Sequence, residues 1–252
     1  MRGLRKMEDR LRAFEERSSS LNKKPELVLI PGLLNDADLW RDQIAGLSEV
    51  AACHVADITK GRTLRELAEN VLATAPPRFS LAGFSLGGYV AQEIMRVAPG
   101  RVTRLALLDT SIRTDTPNRA AIRRALDKAA RAPGKFHGFG DRLLNTYLDP
   151  SHLSDEGIVT RIRAMTERLG AETFVRQNHI ERIDGADVLR SLSCPILILC
   201  GENDRLTPPA DHREMASLAL NAKLVIVEHS GHLTPLENPR AVTRALADWL
   251  QS

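Results

Sequence analysis

The stretch Phe79-Ser80-Leu81-Ala82-Gly83-Phe84-Ser85-Leu86-Gly87-Gly88-Tyr89 joins a short apolar run to a helical pattern that continues to Ala98. It reads as a strand, a tight turn with a serine at its tip, and a helix. That context gives a G-x-S-x-G match chemical meaning. A serine at such a turn sits in a strained backbone conformation, and side chains at positions 83 or 87 would collide with the flanking strand and helix. The turn lifts the Ser85 hydroxyl clear of the sheet. The backbone N–H of Leu86, at the start of the helix, points to where an oxyanion would form.

Outward from this turn, strand and helix patterns alternate. Leu27-Val28-Leu29-Ile30 is a continuous apolar run, as expected for a strand buried on both faces, and it ends at Pro31-Gly32-Leu33-Leu34. A helix with Leu39, Trp40, Ile44 and Leu47 on one side follows. Val50 to Asp57 reads as the next strand. Leu64, Leu67, Ala68, Val71 and Leu72 form the stripe of a helix stopped by Pro76-Pro77. Beyond the serine turn, Arg104 to Asp109 reads as a strand. Residues 111–190 then show helical patterns alone: Pro117 to Arg131, Phe136 to Leu148, Ser154 to Leu169 and Ala171 to Ile183. Alternation resumes with a strand at Pro195 to Cys200, a helix at Pro208 to Leu220, a strand at Lys223 to Glu228 and a closing helix at Pro239 to Leu250.

This order predicts an α/β fold, a mostly parallel central sheet flanked by helices. The expected organisation is a charged N-terminal extension (1–24), a core made of 25–110 and 191–252, and a helical cap inserted as 111–190. Loops at the carboxyl ends of parallel strands are where sites form, so the cap should roof the serine. In the extension, Leu4, Met7, Leu11 and Phe14 recur at helical spacing.

Composition excludes several classes. Of 252 residues, 43% are hydrophobic and 27% charged, which suits one large globular domain. The net charge is only +3, and basic residues are interleaved with acids, so no nucleic-acid footprint is expected. Cys53, Cys194 and Cys200 are odd in number, lack C-x-x-C spacing and lie in or beside apolar runs. They read as buried thiols, with no disulfide framework. No run of about 18 apolar residues predicts a membrane span, and the charged N-terminus is unlike a signal peptide. A cytoplasmic protein is expected, monomeric or homodimeric, with a small acyl compound as its partner. No metal-ligand spacing and no phosphate or dinucleotide loop is present, so no metal and no cofactor is expected.

A serine hydroxyl is a weak nucleophile near neutral pH. It needs a base, and the base needs a group that holds its tautomer. Two later turns, each ending a predicted strand, supply candidates: Gly201-Glu202-Asn203-Asp204-Arg205-Leu206-Thr207-Pro208 and Glu228-His229-Ser230-Gly231-His232-Leu233. The chain order is Ser85, Asp204, His232. Asp109 also ends a strand and is the rival acid; its alternative role is hydrogen bonding to turn backbone. His229 is expected to be a partly exposed strand-end residue, and His54 a satisfied sheet histidine.

With these three motifs the chain resembles the α/β-hydrolase superfamily from about Glu26 to Leu250, and most closely its small esterase and lactonase-like members with a helical cap. The resemblance implies Ser85 as nucleophile, His232 as base and Asp204 as the orienting acid. It also implies Leu33 as a second oxyanion donor beside Leu86, although Pro31 stands where histidine is more usual. A serine rather than an aspartate at the elbow argues against dehalogenase-like and epoxide-hydrolase-like reactions. The expected activity is cleavage of a carboxylic ester through an acyl-enzyme. Lactone or thioester cleavage, and a small-ligand receptor on the same scaffold, remain open. Candidate pocket residues are Leu34, Trp40, Phe136, Phe139, Tyr147 and Phe174, each equally suited to core packing.

Overall fold

The structure is a computed structural model that describes residues 24–131 and 140–252. Among these, six strands form one sheet: β1 (Glu26–Ile30), β2 (Ala52–Val55), β3 (Phe79–Phe84), β4 (Val102–Leu108), β5 (Ile196–Gly201) and β6 (Ala222–Val227). Their order is β2-β1-β3-β4-β5-β6 and every pairing is parallel. The chain moves outward from β1 to β2, then returns to the other side of β1 and proceeds to β6. The order therefore reverses between β1 and β3, the point at whose carboxyl ends ligands bind in open sheets of this kind.

The period of two explains why the strands read as unbroken apolar runs. Leu27 and Leu29 of β1 face a core layer containing Trp40, Phe84, Leu108 and Trp249. Val28 and Ile30 face a second layer containing Val71, Val90, Leu107 and Met215. Helices α1 (Arg41–Gly46), entered through a 3-10 turn at Ala37–Trp40, and α10 (Pro239–Gln251) cover the first layer. Helices α2 (Leu64–Thr74), α3 (Leu86–Val97) and α8 (Pro209–Leu218) cover the second.

Between β4 and β5 lie α4 (Pro117–Ala130), α5 (Asp141–Tyr147), α6 (Glu156–His179) and α7 (Ala186–Ser191), with no strand among the described residues. Leu144, Ile162, Met165 and Phe174 join the first core layer, and Ile180, Val188 and Leu189 join the second. The inserted helices thus share the core rather than building one of their own. Asp155 caps α6 by accepting from the N–H groups of Gly157 (2.9 Å) and Ile158 (3.1 Å). The expected break at Gly170 is present: α6 is interrupted there by φ 73°, ψ 174°.

Three local expectations are corrected. Helix α6 ends at His179, not Ile183. The six-residue α7 and the four-residue α9 (Thr234–Glu237) were not anticipated, being too short to show a period. Cys53 and Cys194 are only partly buried; all three thiols are free. The helix expected from Leu4 to Phe14, and Phe136 and Phe139, lie outside the described residues. No helix among the described residues is long and apolar enough to cross a membrane.

Candidate active site

Ser85 ends β3 and caps α3 with φ 52°, ψ −113°. For a non-glycine residue this costs on the order of 1–3 kcal/mol and persists only where the surroundings impose it. They do: the Ser85 N–H donates to the Leu108 carbonyl (3.0 Å), while the Ser85 carbonyl accepts from Thr110 Oγ1 (2.8 Å) and the Gly88 N–H (2.9 Å). The glycine requirement is backbone against backbone. A Cβ on Gly83 would strike the Gly87 carbonyl, and one on Gly87 would strike the carbonyls of Ile30 and Pro31. The second collision also shows that the turn after β1 packs directly against the start of α3, so the Leu33 and Leu86 segments adjoin. Neither the Leu33 nor the Leu86 N–H donates to another group among the described residues.

The Leu33 turn is held from afar. Leu34 adopts φ 54° and its N–H donates to Gln177 Oε1 (2.9 Å). Gln177, fully buried on α6, in turn donates through Nε2 to the Ile58 carbonyl (3.1 Å).

Ser85, Asp204 and His232 come together. His232 Nε2 lies 2.9 Å from Ser85 Oγ, and Nδ1 lies 2.8 Å from Asp204 Oδ2. Asp204 and His232 are buried, and Ser85 is partly exposed. Three further groups donate to Asp204: the Leu206 N–H (2.8 Å) and Thr207 N–H (3.0 Å) on Oδ1, and the Thr207 hydroxyl (2.6 Å) on Oδ2. Burial alone would raise the Asp204 carboxyl, but His232 and these donors outweigh it and hold it below the usual carboxylate range. An ionised Asp204 can only accept, so His232 carries its proton on Nδ1 and accepts the Ser85 hydroxyl at Nε2. The imidazole is clamped between the rings of Phe84 (5.4 Å) and Tyr147 (5.3 Å, edge-on).

Asp109 is elsewhere. Fully buried with φ 45°, it accepts from the Gly201 N–H (3.0 Å) and the Thr234 hydroxyl, the turn-bracing role weighed against an acid role above. Burial first, and then the nearby charge of Asp204, push its carboxyl well up. His229 is exposed, and edge-strand His54 pairs with Glu26 at 2.6 Å.

Besides Gln177, two contributors were missed. The Glu237 carboxylate accepts from the N–H groups of Gly231 (3.0 Å), Leu233 (2.9 Å) and Asp149 (2.7 Å), tying the His232 loop to the end of α5. His212 is fully buried on α8, and its Nε2 accepts from the Thr110 N–H (3.2 Å) behind the elbow. His212 acts on a backbone group 102 residues away, and Glu237 joins its own turn to Asp149, 88 residues away, so no local pattern marks either role. Of the candidate pocket residues, Leu34, Trp40 and Phe174 are buried in the first core layer, and Tyr147 is partly exposed beside His232.

Known proteins share this architecture. A pimeloyl-[acyl-carrier protein] methyl ester esterase of Vibrio campbellii is 28% identical over 217 residues, 75% of this chain and 80% of its own length. A pyrrolizixenacetamide deacetylase of Xenorhabdus hominickii is 26% identical over 237 residues, 89% of this chain and 84% of its own. A thermophilic esterase from Thermogutta terrifontis superposes with a TM-score of 0.80 at 27% identity, covering 91% of this chain and 90% of that one. The family model described as "Alpha/beta hydrolase family" matches residues 27–245. On that match and this sheet, the chain belongs to the alpha/beta hydrolase family and is a hydrolase of that type, with esterase-like relatives.

Proposed function

We propose that the protein hydrolyses carboxylic esters through an acyl-enzyme formed on Ser85. The observation that carries this reading is the single imidazole that reaches a strained, partly exposed serine hydroxyl on one side and a buried carboxylate on the other. In the first step, Ser85 Oγ attacks the ester carbonyl carbon while His232 Nε2 takes its proton. Asp204 stabilises the imidazolium that results. The N–H groups of Leu33 and Leu86 hold the oxygen as it becomes negative, a contribution of about 3–4 kcal/mol per donor in related sites. Collapse expels the alcohol, which receives the proton from His232. Water, deprotonated by the same nitrogen, then attacks the acyl carbon and releases the acid. Relatives named as a methyl ester esterase and a deacetylase support acyl cleavage as the reaction type.

The test is turnover of p-nitrophenyl butyrate by the parent protein and by Ser85→Ala, with a fluorophosphonate probe read by intact mass. Ser85-dependent turnover and a single adduct are expected. Equal rates for the two proteins, with no adduct on the parent, would sink the reading.

A further inference from the structure

Arg182 lies in the link between α6 and α7 and is only 9% exposed. Among the described residues, no carboxylate comes within ion-pair distance of it. One of its nitrogens, Nη1, donates to the Ile180 carbonyl and, at 3.5 Å, to that of Gln177. The other two, Nε and Nη2, have no acceptor among the described residues. The Ile180 carbonyl also accepts from Arg123 Nη2 of α4 (2.9 Å). Two guanidinium groups therefore converge on one oxygen. Among the described residues, the only carboxylate paired with either is Asp115, 3.0 Å from Arg123 Nη2. One positive charge is left uncompensated in a buried layer. Burying such a charge is unfavourable unless something else pairs with it.

Its position indicates what that is. The Arg182 guanidinium carbon lies 5.6 Å from the centroid of the Tyr89 ring. Tyr89 is one helical turn beyond Ser85 on α3, and side chains on a helix lean toward its N-terminus, here toward Ser85. On the other side stands Tyr147, whose ring packs on His232; burial first raises its phenol to about 12, and the charges of Arg182 and Arg123 act against that rise. The charge thus lies against the aromatic residue one turn beyond the nucleophile and acts on the one that packs on its base. Crowding agrees with this: burial first, and then the positive charge of Arg123, push the Arg182 guanidinium down to about 10.

We propose that Arg182, with Arg123 beside it, binds a carboxylate carried by the substrate, so that the preferred ester has a free negative charge on its acyl or its alcohol part. The inference deepens the esterase reading and rests on it for the meaning of "substrate". Its planar donor edge matches a carboxylate, and pairing in a buried site is stronger than on the surface.

The experiment reads binding, so that it does not depend on turnover. Ser85→Ala protein is titrated calorimetrically with monomethyl succinate, glutarate and adipate against their neutral dimethyl esters. In a second arm, acetylated glycolate is compared with its methyl ester, which separates an acyl-side from an alcohol-side charge. At least one anionic ester should bind about tenfold or more tightly than its neutral counterpart, the order expected of one charge-assisted pair. Adding Arg182→Gln should close that gap, and Arg182→Lys should restore part of it. Equal affinities in both arms, undetectable binding of every anionic ester, or a preference that survives Arg182→Gln would each overturn the proposal. Should Arg182→Gln not fold, the comparison in the Ser85→Ala protein and the Arg182→Lys variant still decide. Failure of the esterase reading shows separately, as parent turnover that does not need Ser85.

Discussion

Leu34, Ser85, Asp109 and His229 are the non-glycine residues that hold a positive φ among the described residues, and each follows a strand at its carboxyl end. Each such conformation costs on the order of 1–3 kcal/mol, so their gathering at one edge of the sheet marks where the fold is shaped for something other than stability. The two aspartates at this edge have opposite characters. Asp204 accepts from three donors besides the imidazole and stays ionised, as the role proposed for it, holding a histidine tautomer, requires. Asp109 has two donors, lies deeper, and is held toward its neutral form. Conversion of each to asparagine separates the roles. Asp204→Asn should lower kcat by about 10⁴-fold, because an amide permits the wrong imidazole tautomer. Asp109→Asn keeps an oxygen for the Gly201 N–H and should leave kcat within severalfold of the parent. Steady-state hydrolysis of p-nitrophenyl butyrate, with circular dichroism to confirm folding, distinguishes them; a large loss in Asp109→Asn and a small one in Asp204→Asn would reverse the assignment.

Among the elements, α6 connects most of what matters. Its N-terminal half carries Arg161, which bridges Asp42 (2.6 Å) at the start of α1, and its C-terminal half carries Gln177, which fixes the turn after β1. Those two halves can face different targets because the helix breaks at Gly170. The backbone there, φ 73° and ψ 174°, belongs to a region open essentially to glycine alone. A Cβ at this position would meet nothing within 4 Å, so any cost of Gly170→Ala is conformational rather than steric. That variant should lose about 1–3 kcal/mol of stability in urea unfolding. It should also show a lower kcat, since re-aligning the second half of α6 moves Gln177 away from the Leu34 N–H. A variant as stable and active as the parent would show that the two halves of α6 can straighten freely, without the Gln177 contact mattering.

At the scale of the molecule, legibility followed the range of the forces involved. The strands could be read because both faces of the sheet are buried, which leaves uninterrupted apolar runs such as Leu27 to Ile30. The serine turn could be read because backbone collisions at positions 83 and 87 allow only glycine. The bracing of the site could not. Gln177 meets Leu34 across 143 residues, His212 meets Thr110 across 102, and Glu237 joins its own turn to Asp149 across 88. The same buried polar groups set how stability responds to pH. Asp109 and Glu237 bind their protons more tightly folded than unfolded, owing first to burial. Between the unfolded carboxyl value, about 4, and their raised folded values, the native state holds more protons than the unfolded one. Stability contributed by these groups is therefore present at low pH and is lost as pH rises through that window. His212 works the other way: burial lowers its proton affinity, so its contribution is present above about 6.5 and is lost as pH falls below it. Asp109→Asn removes one of these contributions and leaves those of Glu237 and His212. Calorimetric melting temperatures taken from pH 4 to pH 9 should therefore show the variant gaining on the parent as pH rises, with the difference levelling off above the folded value of Asp109. Parallel curves would mean that Asp109 is ionised in the native state throughout, and that Thr234 and Gly201 stabilise its charge against both burial and Asp204.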